Sequence, residues 1–568
     1  MKKLFRIVLI KPSHYDDEGY VIRWKWAAIP SNSLACLYAI TKRVQASGQL
    51  GRDLDIVIDD YDECNQRIPV NKIIRNLSRA NASGIVCMVG VQSNQFPRAV
   101  DLSRHFRAAG IPVLIGGFHV SGCLSMLETI PEDLTSAMSE GITLVAGEVE
   151  EAWGGILEDV LRGRLKPLYN FLDELPALQD QALPLLPAKS VSRYVNSLTT
   201  FDAGRGCPFV CSFCTIINVQ GRKSRFRTAD DVEAIIRENL RQGISRYFIT
   251  DDDFARNRNW ESIFDRIILL RERDGIKTTF ILQVDTACHR LPRFIEKAAR
   301  AGCRKVFIGL ENINAAAIKE TGKKQNHIEE YREMLQAWHK VHVITVAGYI
   351  LGFPNDTYES VMRDIDIIKR ELPLDLIEFF MLTPLPGSKD HQTLVNKGVW
   401  LEPDMNNYDL EHPCMKHQKM TAEEWKRLYK DAWDSFYSPE HVKTLFRRRQ
   451  AEGNSIGRLI GMIVWYYGSI LLEGVHPLQS GIIRRKHRSE RRPAFPIENP
   501  LIFGWRRFVD VGSVLIGLLG LYLRLRKIRK QVEKDPDGMA YRDVAITPVE
   551  KITVPLKEER LVVLPGNL

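Results

Sequence analysis

The sequence predicts an α/β protein: a doubly wound parallel sheet, then a partial (βα)6 barrel, then a mainly helical C-terminal region. Three observations carry this. Short β-type runs alternate with helical stretches over residues 1–155 and again over 198–400. A proline-containing connector within 156–197 separates the two series. After residue 400 the alternation gives way to apolar runs with basic flanks, which mark out a helical region at 401–534 and a polar tail at 535–568. A chain of 568 residues is too long for one core, and 45% hydrophobic with 26% charged residues describes an ordinary folded protein.

In the first series, "LFRIVLI", "DIVID", "GIVCMVG", "PVLIGG" and "TLVAGE" read as strands, with helices such as "PRAVDLSRHFRAAG" between them. Ligands of such Rossmann-like sheets lie beyond the C-terminal strand ends. That rule singles out Ser13 and His14, Gly90 to Ser93, Gly116 to His119, and Gly147 with Glu148. The nicotinamide fingerprint G-x-G-x-x-G is absent there. The connector "LDELPALQDQALPLLPAKS" has four prolines and little period, and reads as a linker or draped segment.

In the second series, "SLTTFDAG", "RYFITD", "TTFILQVD", "KVFIGLE", "ITVAGYILGF" and "LIEFFMLTP" read as six strands, whose shared C-terminal mouth would hold the active site. The C-terminal runs "RLIGMIVWYYGSILLEG" and "FVDVGSVLIGLLGLYLRLRKIRK" fall short of the ~20 uninterrupted apolar residues of a membrane span. They read as buried helices of a small domain, or as helices dipping into one leaflet with Arg524, Arg526, Lys527, Arg529 and Lys530 at the headgroups. The block "RRKHRSERRP" from Arg484 carries six of the chain's 79 Arg and Lys; it reads as a solvated surface loop or, given its apolar flanks, as a contact with anionic lipid rather than nucleic acid. The start "MKKLFRIVLIKPS" has no small-residue cleavage site and reads as a strand. The ten cysteines show no disulfide spacing, so the expected location is cytoplasmic, with contact at the inner face of the membrane.

Three of those cysteines, Cys207, Cys211 and Cys214, stand as C-x3-C-x2-C in "GRGCPFVCSFCTI". Structural zinc takes four ligands, usually as paired clusters, and no fourth Cys or His lies nearby. Three thiolates suit a [4Fe–4S] cluster with one iron left open for a small chelating ligand. The alternatives for the three cysteines alone are zinc with a distant ligand or a purely structural role.

This spacing, with Phe213 before the last cysteine and at the end of the first strand of a βα series, resembles the radical S-adenosylmethionine (SAM) superfamily. The resemblance implies that SAM chelates the open iron and is cleaved reductively to a 5′-deoxyadenosyl radical. It extends along the barrel: "ITDDDF" is similar to an acidic second-strand segment, "QVD" stands where many relatives have Arg-x-Asp, "IGLENIN" is similar to G-x-E-S-G, and "LTPLPGS" to T-P-x-P-G-T. The SAM-binding residues it implies are Phe213, Asp252, Asp253, Gln283 and Glu311. Asn312 and Gln283 depart from the common Ser and Arg, and each acidic residue alone would read as a cap or a salt-bridge partner.

A doubly wound domain directly before such a barrel looks like the cobalamin-binding domain of cobalamin-dependent radical SAM enzymes. The residues this implies at cobalamin are Ser93, Gly116, Gly117, His119 and Glu148, with Gly116 and Gly117 letting the backbone approach a bulky ligand. His119 alone would read as an ordinary loop histidine. Cobalamin domains of the D-x-H-x-x-G type ligate cobalt through His; here "KPSHYDDEG" lacks both the Asp and the Gly, so no protein ligand to cobalt is assigned to His14, whose loop instead covers the corrin or contacts substrate.

The function expected is methyl transfer to an unactivated carbon of an apolar or lipid-like substrate, with a flavodoxin or ferredoxin as electron donor. Radical oxidative cyclisation, or another non-methylating reaction, uses the same cofactors. From another class, a non-catalytic iron–sulfur or cobalamin sensor would leave the open iron unused. No catalytic acid or base is assigned.

Overall fold

The computed structural model describes residues 3–51, 53–79, 82–314 and 330–549. The end of the expected polar tail, from residue 550, lies outside the described residues.

The chain opens with β1 (Lys3–Lys11), short β2 (Trp24–Ala27), β3 (Leu54–Asp62), β4 (Ala82–Met88), β5 (Val113–Gly116), β6 (Thr143–Gly147) and β7 (Leu168–Phe171). All but β2 form one parallel sheet in the order β3-β1-β4-β5-β6-β7. Its central strands are apolar without alternation, because helices cover both faces: Val8, Ile10, Val86 and Met88 pack to one side, and Ile7, Leu9, Ile85 and Cys87 to the other. The chain moves outward from β1 to β3 and then crosses back to β4. The switch point, where such sheets hold ligands, is therefore at the ends of β1 and β4. The sheet continues past residue 155, since β7 pairs with β6 from Leu144↔Leu168 to Gly147↔Phe171.

The second sheet holds β8 (Leu198–Phe201), β11 (Arg246–Ile249), β12 (Thr279–Val284), β13 (Cys303–Glu311), β14 (Ile344–Leu351) and β15 (Leu376–Met381). Its order is β15-β14-β13-β12-β11-β8, with every pair parallel. These are the six strands expected of the partial barrel. Between β8 and β11 a small antiparallel pair, β9 (Gly204–Arg205) with β10 (Arg225–Phe226), brackets the three-cysteine loop.

Helices Ala422–Phe436, Pro439–Ala451 and Ile456–Gly468 close the barrel, burying Trp425, Trp433, Phe436, Phe446 and Ile463 in its core. The chain then returns to the first domain. Strand β16 (Gly481–Arg484) pairs antiparallel with β2, so the C-terminal region helps roof the space between the two sheets. The segments Ile456–Glu473 and Pro500–Glu533 are long and apolar enough to cross a membrane by length and composition, and only 33% and 11% of their apolar windows are buried.

The basic block reads differently once folded. Five of its six cations are engaged within the chain: Arg484 with Asp16 at 2.7 Å, Lys486 with Glu18 at 2.6 Å, Arg488 with the Glu498 carbonyl at 2.9 Å, Arg491 with the Glu18 carbonyl at 2.8 Å, and Arg492 with Asp404. The block latches the C-terminal region onto the loop that follows β1.

Candidate active site

The cysteine loop leaves β8 through two glycines, on either side of Arg205, that have no room for a side chain. A Cβ on Gly204 would lie 2.9 Å from an Asp251 carboxylate oxygen. Gly206, at φ +85°, would place one 2.6 Å from the Lys223 carbonyl. Asp251 fastens this exit, accepting from the Ala203 and Gly204 amides at 2.7 and 2.8 Å and from Asn257 at 2.8 Å. The far side of the loop is held from β15 onward. The Asp390 amide donates to the Ser212 carbonyl at 3.1 Å, and Asn218 donates to the Gly387 carbonyl at 2.9 Å.

Burial pushes the Cys207 and Cys214 thiols up to about 12, while the Phe209 amide at one sulfur and the Ile216 and Ile217 amides at the other favour the thiolates. Such donors are what charged sulfur ligands need in a buried site. Cys207 feels the charge of Cys214, and Cys214 that of Cys211, so the three sulfurs share one neighbourhood. Among the described residues no three Cys, His, Asp or Glu side chains converge on a single metal ion. Three thiolates that share one neighbourhood and meet backbone amide donors are what a multi-iron cluster takes. The donor set fits a cluster.

The loop faces the first sheet across two adjoining cavities. The larger, ≈ 1560 Å³, is walled by His14 and Ile22 after β1, Gly90 and Gln92 after β4, Gly204, Arg205, Ile216 and Asp252 from the barrel mouth, and Leu478 to Ser480 before β16. The smaller, ≈ 900 Å³, runs between the sheet and helices Asn32–Ser47 and Trp153–Leu161, against Leu37, Ile40, Leu114, Val145 and Trp153. Asn32, Ser33, Gly90, Phe118, Arg205 and Gln220 belong to both walls.

Of the residues singled out for SAM, Asp252 lies on the chamber wall and accepts from the Gly206 amide at 3.1 Å; burial pushes its carboxyl up to about 7. Asp253 caps the turn Phe254–Arg256 and accepts from the Asp285 amide at 3.3 Å. Gln283 donates to the Asp251 carbonyl at 3.3 Å. Glu311 ends β13 at φ +64°, where the register with β14 shifts; a bulge of this kind re-aims a side chain at a site. Phe213 is half-buried against the barrel core.

Of the residues singled out for cobalamin, Gly116, Gly117 and Glu148 line the smaller cavity. The reason for glycine at 117 differs from the one expected. At φ +149° its Cβ would fall 2.1 Å from the Val91 amide nitrogen, so the close approach is to the turn after β4 rather than to a ligand. Ser93 and His119 stand behind the wall. Both His119 ring nitrogens are engaged, with Ser93 at 3.2 Å and Asp133 at 2.8 Å. Glu148 reaches across the seam to Arg205 at 2.6 Å and to Arg225. Burial works against its charge, but the two guanidiniums hold the carboxyl below its ordinary range. Arg205 also bonds Glu150 at 2.6 Å and Asp202 at 2.9 Å, which makes it the hub of the domain junction. Sequence reasoning missed Arg205, Asp202, Glu150 and Asp251; Arg205, two residues before the first cysteine, was the nearest to a signal.

His14 is buried in the chamber wall, and burial lowers its imidazole to about 4, so the ring is neutral at physiological pH.

Within this fold, residues 202–368, which carry the cysteine loop and strands β11 to β14, match the model of the radical SAM superfamily. Among proteins similar to this chain, bacteriochlorophyllide d C-12(1)-methyltransferase of Chlorobaculum tepidum is 28% identical over 331 residues, 56% of this chain and 67% of that protein. Hopanoid C-2 methylase of Rhodopseudomonas palustris is 23% identical over 346 residues, covering 60% of this chain and 62% of its own. The solved structure of the cobalamin-dependent SAM radical enzyme OxsB, with aqua-cobalamin and SAM bound, shares the fold over 95% of this chain and 82% of that one, at a TM-score of 0.54 and 15% identity.

Proposed function

We propose that this chain is a cobalamin-dependent radical SAM methyltransferase that methylates an unactivated carbon of an apolar, lipid-like substrate. The observation that carries the reading is one chamber walled by both the switch point of the first sheet and the barrel mouth at Gly204, Arg205 and Ile216, the residues on either side of the cysteine loop. A carbon held there would face both domains at once. The adjoining pair of cavities suits a broad macrocycle with a long nucleotide tail, which supports cobalamin. When bound, the cluster with SAM supplies hydrogen abstraction and cobalamin supplies the methyl group.

The chain's own residues hold and orient. Cys207, Cys211 and Cys214 would bind the cluster, with Phe213, Asp252, Asp253, Gln283 and Glu311 around SAM. Gly116 and Gly117, on the wall of the smaller cavity, would line the cobalamin site. Ser93 and His119 act as positioning residues, fixing the loop after β4, and Glu148 acts through Arg205. His14 covers the chamber without ligating cobalt. The names of the similar proteins, a pigment methyltransferase and a hopanoid methylase, support an apolar substrate. The reading places the enzyme in the cytoplasm at the inner face of a membrane, reduced by a flavodoxin or ferredoxin.

The test is anaerobic reconstitution with iron, sulfide and cobalamin, followed by a lipid extract and methyl-labelled SAM. Label entering one lipid class, and lost in Cys211→Ala, is the expected result. Label in no lipid, while SAM is still consumed, contradicts the substrate assignment.

A further inference from the structure

The terminal helix Pro500–Glu533 has two unlike faces. One meets the protein: Phe503 rests on Tyr20 with ring centroids 5.7 Å apart, Gly517 and Leu518 lie against Leu472 and Gly468, and Leu521, Leu525 and Val532 are buried. On the other, Leu501, Trp505, Phe508, Leu515, Leu519 and Tyr522 fall at steps of three, four or seven residues, so they line up along one side. All six are exposed, Leu501 by 84% and Phe508 by 72%. At ~1.5 Å per residue the stripe is about 30 Å long, far more apolar surface than a soluble protein leaves in water.

We propose that this face docks on an anionic phospholipid bilayer, lying in its interfacial plane and holding the chamber's C-terminal wall against the membrane. The inference rests on the apolar-substrate reading above and names the surface that would deliver that substrate. Charge selects the occupant. Arg524, Arg526, Lys527, Arg529 and Lys530 follow the stripe directly, with Glu533 alone of opposite sign in the last three turns. A second copy packed in parallel on the stripe would stack these cations on their like; anionic headgroups would neutralise them.

Two features favour lying on the bilayer over crossing it. Arg506, Arg507 and Asp510 interrupt the first three turns, and the inner face is already packed on the segment Ile456–Glu473. The docked end adjoins the chamber. Phe503 touches Tyr20, in the loop whose His14 and Ile22 form the wall, and Arg507 donates to the Arg484 carbonyl at the end of β16. Leu478, on that wall, and Ile482 and Ile483 of β16 are themselves exposed and extend the apolar surface toward it.

The experiment is cosedimentation of the full-length holoenzyme with phosphatidylcholine vesicles, with and without phosphatidylglycerol. The wild type should sediment with the anionic vesicles. The double variant Leu515→Glu, Leu519→Glu should lose about tenfold or more of that binding, while its melting temperature and its 5′-deoxyadenosine production stay unchanged. Arg526→Glu with Lys527→Glu should weaken binding to the anionic vesicles alone. Wild-type protein left in the supernatant, or a double variant that sediments equally, overturns the proposal. So does a wild-type dimer that dissociates in the double variant without vesicle binding, which would make the face a self-interface. Methylation in detergent, assayed on the same samples, separates the two readings: normal methylation without vesicle binding removes the docking alone, and vesicle binding without methylation removes the function alone.

Discussion

At the scale of the residue, the site is held by a few buried charges more than by the residues nearest the chemistry. Arg205 joins Glu148, Glu150 and Asp202 in a largely buried cluster on the cavity walls, and Arg225 shares Glu148. Removing Glu148 leaves the largely buried Arg225 guanidinium with backbone carbonyls in place of its carboxylate partner, and the loss of such a buried pair costs up to about 3–5 kcal/mol. Glu148→Ala should therefore lower the melting temperature of the cofactor-free protein, measured by calorimetry, before any effect on cobalamin affinity is asked. An unchanged melting temperature would return Glu148 to a purely ligand-facing role. The partnership across the junction was not legible in the sequence: Arg205 and Glu148 lie 57 positions apart, and no local pattern couples them. The cysteines were legible because their spacing is itself the chemistry, a short loop that must wrap one object.

At the scale of the element, glycine contacts set how closely the two domains approach. Gly122, in the helix Phe118–Met126, meets the "LTPLPGS" segment so tightly that a Cβ there would lie 2.2 Å from the Pro386 carbonyl oxygen; Gly387 returns the contact at φ +96°. That segment thus touches the first domain and, through Asn218, the helix after the cysteines. Its similarity to a known pattern was readable, but its role as a clamp needed the fold. The underside of the barrel carries a pH-sensitive joint. His339 is buried between Glu452 at 2.8 Å and Asp375 at 3.3 Å, and Arg449 also holds Asp375. Burial alone would lower the imidazole; Asp375 and Glu452 instead raise it to about 9. A raised histidine stabilises the fold fully below its unfolded value of 6.5 and loses that contribution as the pH climbs through about 9. The wild type should lose on the order of 3 kcal/mol across this window. In urea titrations, His339→Gln should be less stable at neutral pH and show a flatter profile. A wild-type profile as flat as the variant's would refute the pairing.

At the scale of the whole molecule, the sequence's alternation of strands and helices was enough to read two sheets in series. It located all six barrel strands, because each is a short run rich in β-branched and aromatic residues set between helical stretches. It read the connector more loosely: β7 is only four residues long, Leu168–Phe171, at a sheet edge, where little apolar signal is needed. Charge counting marked the block from Arg484 as a lipid contact, whereas its partners Asp16, Glu18 and Asp404 lie so far away in sequence that only folding brings them near. The apolar runs were visible, but which face of Pro500–Glu533 stays uncovered depends on neighbours no window contains.

The central claim is that one chamber serves both a radical-generating and a methyl-donating cofactor, and the two leave different residues of SAM. The decisive measurement is the yield of both products from the reduced, reconstituted enzyme turning over its substrate. The account predicts S-adenosylhomocysteine and 5′-deoxyadenosine together, each rising with methylated product. Full turnover with 5′-deoxyadenosine alone would point to cyclisation or other non-methylating chemistry, and no cleavage of SAM at all would make the protein a sensor; either would contradict it.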